Sequence, residues 1–529
     1  MFRKFQLIAR LIASSYFIIV LQPFTALVSS DASAQNFVKI TKGVFAADSA
    51  DHNGAAWIDY DKDGDLDIFT VSATPPNNFA ALYRNDGYDQ FTKITSGELV
   101  NIANGWFGTS WADINNDGNL DVFVGGGYTR MGSMVYNGDG KGGFRRNESW
   151  FPWNEVILGW TGAWGDYDND GHVDLVVIHP FNFLGTPASS NFLFHNNGDG
   201  TFAEINNTPI TATTAPFTVG SWSDYDQDGD IDLFIGSGPA NGTLAPDFHF
   251  KNMLKETGKA TFQPITDSLI ATDSLDGQTW NWIDYDNDGD LDAYMTNYFA
   301  PAGMANRLYR NDDGKFKRVT NAGPIVTDVD ISLANVWGDF DNDGDLDCYV
   351  ANGGLRASNK YYRNNGNGTF ESVVTAATEV DSTVCWGAAA GDYDNDGDLD
   401  LFVATKLMFR KGQPGRAVPD WLFRNDVDKS NHWINIECIG KTSNRSALGT
   451  KIKTKTTING KSIMQMREIS AQNTFNGQNE LRVHFGFGQA KTIDEVTIHW
   501  PSGRTEVFKN VKTDQFLVAT EGEGYKSKN

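Results

Sequence analysis

Residues 392–400 read DYDNDGDLD, with acidic side chains at alternate positions around one glycine, and close copies of these nine letters occur six more times. The copies are DYDKDGDLD (59–67), DINNDGNLD (113–121), DYDNDGHVD (166–174), DYDQDGDID (224–232), DYDNDGDLD (284–292) and DFDNDGDLD (339–347). Successive starts lie 54, 53, 58, 60, 55 and 53 residues apart. A period held this closely marks a repeat protein of seven units.

A carboxylate or amide at positions 1, 3 and 5, glycine at 6 and a carboxylate at 9 is the grammar of a calcium loop. Ca2+ takes about six to eight oxygens, alternate side chains can converge on one point, and glycine makes a turn that a Cβ resists. The helical EF-hand is excluded. It needs a bidentate glutamate at position 12, which here is Thr70, Val124, Val177, Ile235, Met295, Val350 or Val403. Each loop instead enters a strand-like stretch such as LDIFTV, LDVFVG, VDLVVI or LDLFVA.

Each unit carries further strand marks. One piece ends in asparagine before a turn, as in LYRND (82–86), LFHNN (193–197), LYRND (308–312), YYRNN (361–365) and LFRND (422–426). Another begins at Phe91, Phe144, Phe202, Phe262, Phe316 or Phe370. The strand before the loop usually has tryptophan two residues ahead of the first aspartate: Trp57, Trp111, Trp164, Trp222, Trp282 and Trp337. Four strands per unit, seven times over, predict an all-β fold, a seven-bladed β-propeller with calcium loops. The seventh unit lacks the phenylalanine strand, whereas NFVKITKGV (36–44) supplies one, with Phe37 placed 22 residues before Asp59. The first strand is therefore expected to pair into the last unit and close the ring.

The chain has 529 residues, 40% hydrophobic and 13% aromatic, which is ample for packed cores and argues against global disorder. MFRK, the apolar run 11–21 and the small-x-small site ending at Ala34 predict a secretory signal over residues 1–34, hence a secreted, extracellular or periplasmic protein with no membrane span after cleavage. Cys348, Cys385 and Cys438 are too few and too scattered for a disulfide framework and are expected to be packing residues. Without residues 1–34, which hold three basic groups and Asp31, the formal charge moves from -24 to -26. From Asp428 onward 15 Lys/Arg stand against 10 Asp/Glu, so residues 35–427 carry -31. That excess excludes nucleic acid as a partner of the large region.

After LFRND the pattern changes. NHWINIECIG, GTKIKTKTTI, SIMQMREI, ELRVHFGFG, DEVTIHWPSG and QFLVAT alternate like strands, and predict a small β-sandwich-like domain over 428–522 with a tail at 523–529.

Residues 36–427 resemble the FG-GAP/VCBS propellers, of which the integrin α-subunit head is a relative, through the D-x-D-x-D-G-x-x-D loops. NHW, KTSNRSALGTKI, ELRVHFGFG and VTIHWPSG resemble the ASPIC/UnbV domain that follows such propellers in the cartilage acidic protein family. The cysteine-rich EGF-like module of that family's vertebrate members has no counterpart here. The resemblance implies up to seven Ca2+ ions, held by side chains at positions 1, 3, 5 and 9 and by the carbonyl at 7. The residues are Asp59, Asp61, Asp63, Asp65, Asp67 in the first loop and Asp113, Asn115, Asp117, Asn119, Asp121 in the second, whose asparagines imply weaker binding. The third has Asp166, Asp168, Asp170, His172, Asp174, with His172 offering only its backbone, and the fourth Asp224, Asp226, Asp228, Asp230, Asp232. The fifth has Asp284, Asp286, Asp288, Asp290, Asp292, the sixth Asp339, Asp341, Asp343, Asp345, Asp347, and the seventh Asp392, Asp394, Asp396, Asp398, Asp400. Like-charged pairs about 4 Å apart cost on the order of 1 kcal/mol in water and about 4 kcal/mol at an effective dielectric near 20, so calcium should rigidify the ring.

No G-x-S-x-G, H-E-x-x-H or Cys/His pairing is present. His432, His484 and His499 alternate with apolar residues and are expected to be structural. Lys451, Lys453 and Lys455 form a stripe, by default a solvated face; the sharper reading is a contact with the acidic ring or with a sulfated or phosphorylated polymer. The connections on the face opposite the calcium loops are long and carry Arg130, Arg307, Arg356, Lys360, Arg410, Lys411 and Arg416. Loops on a rigid scaffold are where binding concentrates, and integrins too meet ligand on that face. The expected function is non-catalytic binding or adhesion to an extracellular or cell-surface protein or glycan, anionic in character. A calcium-dependent polysaccharide lyase or hydrolase is the alternative.

Overall fold

The computed structural model describes residues 37–72, 79–126, 132–149, 156–179, 190–238, 244–354, 358–378, 383–408, 418–427 and 429–528. The segment read as a secretory signal lies outside them, as do Arg130, Arg356, Arg410, Lys411 and Arg416. Among the described residues the protein is all-β apart from helical turns of four residues, and no helix is long and apolar enough to cross a membrane.

Among the described residues, seven four-stranded antiparallel sheets form the first part. In the first sheet Gly54–Ile58, Asp67–Val71, Ala81–Asn85 and Phe91–Ile94 lie side by side in chain order, with the first acidic loop joining the first two strands. The first strand of each sheet touches those of both neighbouring sheets. The first strand of the seventh, Thr383–Gly391, returns to Gly54–Ile58, so the sheets close a ring. These inner strands are buried on both faces, as in Trp106–Ala112, where every residue is buried. Their lettering is mixed, with Thr109, Ser110, Gln278, Thr279 and Asn281 buried among apolar residues, and it is second strands such as Asp174–Ile178 (DLVVI) that read as the near-continuous apolar run of a strand covered on both sides.

The seventh sheet is completed from the other end of the chain. Phe37–Lys39 pairs with Trp421–Asn425, with Phe37 opposite Asn425. Phe37 is buried and meets the rings of Phe340, Tyr361 and Phe423 edge-on at centroid distances of 5.7, 5.9 and 6.5 Å. The loop tryptophans tie sheet to sheet. The indole N–H of Trp57 donates to Ala389 O at 3.0 Å, that of Trp164 to Ser110 O at 2.9 Å, and that of Trp222 to Ala163 O at 3.1 Å. Each acceptor lies on the inner strand of the preceding sheet.

The C-terminal part is two further four-stranded sheets. One holds Val483–Gly486, Trp433–Ile439, Gln515–Thr520 and Gly524–Lys528, and the other Lys461–Glu468, Lys451–Ile458, Thr492–His499 and Thr505–Lys512. The stretch read as a tail, 523–529, is corrected: Gly524–Lys528 is a paired strand, opposite Thr520 at its start. Its lysines and serine hide the pattern because an edge strand has one exposed side and little apolar lettering.

This domain sits on the acidic-loop face and sends residues 471–480 into the bore of the ring. The segment supplies hydrogen bonds that the inner strands cannot make among themselves. Gln478 N donates to Ala55 O at 3.0 Å, Trp57 N to Gln478 O at 3.2 Å, Thr109 N to Asn476 O at 3.3 Å and Glu480 N to Ala390 O at 3.2 Å. Side chains add Trp111 N to Gln478 Oε1 at 2.9 Å and Thr161 Oγ1 to Gln472 Oε1 at 2.9 Å. The approach leaves no room for a side chain at Gly477, where a Cβ would lie 2.0 Å from Ala55 O. At the tip, Phe475 is buried with Phe107, Trp160, Leu333 and the partly buried Trp386, and closes the bore with apolar surface.

Candidate metal sites

Every acidic loop has the same backbone. Position 6 is glycine with φ between 89° and 104°, and position 4 is also left-handed, with φ between 56° and 64°. Asparagine tolerates that region better than most residues with a Cβ, and five of the seven position-4 residues, Asn116, Asn169, Asn287, Asn342 and Asn395, are asparagine. Sequence reasoning read position 6 and passed over position 4, whose asparagines were the available signal. These side chains also bind loop to loop. Asn116 Nδ2 donates to Gly171 O at 3.0 Å, Asn169 Nδ2 to Gly229 O at 2.9 Å, Asn287 Nδ2 to Gly344 O at 3.0 Å, and Asn395 Nδ2 returns to Asp65 Oδ1 at 2.9 Å.

The carboxylates at the loop ends hold the backbone. The position-1 group accepts amide N–H groups of positions 5 and 6, as at Asp113 (3.0 and 2.7 Å) and Asp392 (3.0 and 3.0 Å). Position 9 accepts the N–H that ends the third strand, at 2.7–2.8 Å for Asp67, Asp121, Asp174, Asp232, Asp292, Asp347 and Asp400. The loop aspartates thus have a structural task as well as a candidate ligand task.

Positions 1, 3 and 5 converge in the third and fourth loops, and positions 1, 3 and 9 in the first. Oxygens of Asp166, Asp168 and Asp170, of Asp224, Asp226 and Asp228, and of Asp59, Asp61 and Asp67 lie within 4.8 Å of one another. Burial, then neighbouring carboxylates, push the pKa of Asp59 up to about 6 and that of Asp166 to about 8. Burial likewise raises Asp67 to about 9, Asp121 to about 8 and Asp284 to about 8, and lifts Asp339, Asp392 and Asp400 well above the carboxylate range. Buried oxygens of Asp59, Asp61, Asp168 and Asp224 have no hydrogen-bond partner. A set of converging, desolvated carboxylate oxygens with lone pairs to spare fits a hard divalent cation.

A feature missed in the sequence is the residue before the third-strand clamp: Arg84, Asn137, His195, Lys251, Arg310, Arg363 and Arg424. All but Asn137 act on position 3 of their own loops. Arg84 counters the rise at Asp61, Arg310 that at Asp286, Arg363 that at Asp341 and Arg424 that at Asp394. Lys251 Nζ lies 2.6 Å from Asp226 Oδ2. In the second unit acid and base are lost together, Asn115 standing at position 3 and Asn137 on the strand.

The C-terminal domain grips the loops directly. Lys451 Nζ pairs with Asp224, Lys453 Nζ donates to Gln227 Oε1 at 2.7 Å and to Gly289 O at 3.0 Å, and Arg445 lies 3.4 Å from Asp113 Oδ2. The expectation of a solvated lysine face is corrected for Lys451 and Lys453, because the alternation sends them onto the acidic ring; Lys455 is exposed. Met466 N donates to Asp284 Oδ2 at 2.9 Å and Gly486 N to Asp339 Oδ2 at 3.0 Å. The three C-terminal histidines are engaged. His484, buried, meets Gly397 O at 3.1 Å, His432 meets Asp514 at 2.7 Å, and His499 meets Thr505 Oγ1 at 3.1 Å. Cys348, Cys385 and Cys438 are free and buried.

The FG-GAP-like repeat model matches residues 59–124, 182–235, 284–350 and 339–403, and the ASPIC and UnbV model matches 440–526. The chain carries FG-GAP-like repeats and an ASPIC/UnbV domain. The repeat matches take in six of the acidic loops; the third, 166–174, falls outside them and keeps the same backbone. The chain is homologous to cartilage acidic protein 1. It is 25% identical to that of Mus musculus over 349 residues (64% of this chain, 42% of the relative) and 25% identical to that of Homo sapiens over 345 (64% and 41%). For the Xenopus tropicalis protein the identity is 26% over 326 residues (61% and 39%). The chain thus spans about two-fifths of the length of the curated relatives it matches.

Proposed function

We propose that this FG-GAP repeat protein is an exported, calcium-stabilised binding module without catalysis, with Ca2+ in its acidic loops and its ligand surface on the opposite face. The ions would be held by positions 1, 3, 5 and 9 and would supply the positive charge that buried carboxylates lack. The observation that carries the reading is the seating of the ASPIC/UnbV domain: it lies on the loop face and enters the bore from there, so a partner has access from the other side. There Arg307 and Lys360 are described, Lys360 lying 3.5 and 3.6 Å from Asp328 and Asp330, and the partner sought is an anionic protein or glycan.

A polysaccharide-active enzyme would need a free base or acid near the bore on that side. Lys406 is buried, pairs with Asp51 at 3.2 Å and lies 4.4 Å over the Trp386 ring, while His52 pairs with Asp420. Both are committed to carboxylates, and both read as structural.

The test is a glycan and matrix-protein array run with millimolar calcium and with chelator, with product analysis on every hit. Calcium-dependent binding of unmodified partners, weakened by Arg307→Ala or Lys360→Ala, is expected. Release of cleaved product, or binding that survives both changes, overturns the reading.

A further inference from the structure

Besides His172 at position 7 of its loop, the third unit departs from the others at a side chain on its third strand. Where Arg84, Lys251, Arg310, Arg363 and Arg424 place a permanent cation near position 3, and the second sheet carries Asn137 at the same register, the third sheet places His195. A guanidinium or ammonium can only neutralise the loop, but a neutral imidazole is itself a metal donor.

We propose that the third loop binds a first-row transition cation of the Mn2+/Zn2+ class through His195 Nδ1 together with Asp168 and Asp174. His195 Nδ1 lies 3.3 Å from Asp168 Oδ2 and 3.1 Å from Asp174 Oδ1. Donors about 2.1 Å from one ion stand roughly 3.0 Å apart at right angles and roughly 3.4 Å apart in a tetrahedron, so the imidazole nitrogen is spaced from each carboxylate as a fellow ligand would be, and the three groups offer ligand atoms within 4.8 Å of one another. The other ring nitrogen faces Asp170 Oδ2 at 4.0 Å, on the side where a metal-bound imidazole keeps its proton and finds its carboxylate. Asp174 is fully buried, and Asp168 Oδ1 is a buried oxygen with no hydrogen-bond partner. The side chains of His195 and Asp168 are 25% and 26% exposed, which gives an ion its entry.

The donor set decides the metal class. Imidazole with carboxylates selects zinc or manganese over calcium, whose oxygen-only preference the other six loops meet. His172, at position 7 of the same loop, does not join, because its Nδ1 meets the Asn116 amide at 3.1 Å. The inference rests on the loops being cation sites.

The experiment uses the full chain, stripped of metal, equilibrated with millimolar calcium and one equivalent of Zn2+, then desalted and analysed for both metals. Wild type is expected to keep about one zinc beside its calcium, and His195→Arg, which installs the side chain of four other units, to keep the calcium and lose the zinc. With Mn2+ as probe, electron spin echo should show imidazole nitrogen modulation in wild type and none in His195→Arg. Calcium retained with no zinc, or zinc retained equally by the variant, overturns this proposal alone. Absence of both metals from wild type overturns the reading of the loops as well.

Discussion

The side-chain amide of Asn85 donates to the carbonyl of Tyr393, 308 residues further along the chain, at 2.9 Å, and to Leu66 O at 3.1 Å. The same pair of bonds recurs at Asn196, Asn252, Asn311, Asn364 and Asn425, each joining position 8 of its own loop to position 2 of the loop before. At Asn85 the loop before is the last one, so this contact and the Phe37–Lys39 strand both tie the start of the chain to the seventh unit.

Asn85→Ala leaves two buried carbonyls without their donor, and each unmet buried group costs about 1–3 kcal/mol. Phe37→Ala removes a buried ring, with a loss of about 3–5 kcal/mol. Both should lower the melting temperature, Phe37→Ala more, and deletion of residues 35–41 most of all. A deletion variant that melts with wild type would show that the ring closes by other means.

The raised carboxylate pKa values set a pH trend for the chelated protein. An aspartate unfolds to an ordinary pKa near 3.8, while in the fold Asp67 titrates at about 9 and Asp121, Asp166 and Asp284 at about 8. Between those limits the folded chain holds more protons than the unfolded one, so stability is fullest at low pH and falls as pH rises from about 4 to about 9. Bound Ca2+ should replace those protons and flatten or invert the slope. Thermal melts at pH 5 and pH 8, with chelator and with calcium, measure it; a chelated protein that gains stability toward pH 8 contradicts it.

Gly477→Ala should dislodge the segment in the bore, because the new Cβ would meet Ala55 O at 2.0 Å, nearer than any real contact. The expected result is faster proteolysis at 428–432 and between 471 and 480, with the ring itself still folded. Gly460→Ala, where no atom lies within 4 Å of the added carbon, strains only its own turn and should leave proteolysis unchanged.

Lys451 stands between buried Asp224, which it pairs with, and partly buried Glu468, whose pKa desolvation lifts to about 7. Lys451→Met should cost about 3–5 kcal/mol, since removing one partner strands buried charge. Adding Glu468→Gln should recover part of the loss in chemical denaturation. If the double variant is no more stable than the single one, the two residues are not coupled.

The period and the nine-letter loops made the repeat class, the strand order and the N-terminal strand legible, because each depends on residues close in sequence. Alternation within 451–458 placed Lys451 and Lys453 on one face, yet the same letters describe a wet surface and a grip on Asp224. Arg84 and its counterparts were in view but carried no local pattern; only their pairing across the sheet puts them against position 3.

By itself the sequence determined that seven acidic loops join strands of an all-β ring and that a second β domain follows. A glycine at position 6 and carboxylates at 1, 3, 5 and 9 act within one turn, and short-range sterics and charge are written in adjacent letters. The tertiary structure alone decided that residues 471–480 enter the bore, that Asn85 reaches Tyr393, and that His195 turns its nitrogen toward Asp168 and Asp174. Those contacts join elements tens to hundreds of residues apart, and their partners are set by which backbone groups and carboxylates are left unmatched once the ring has closed.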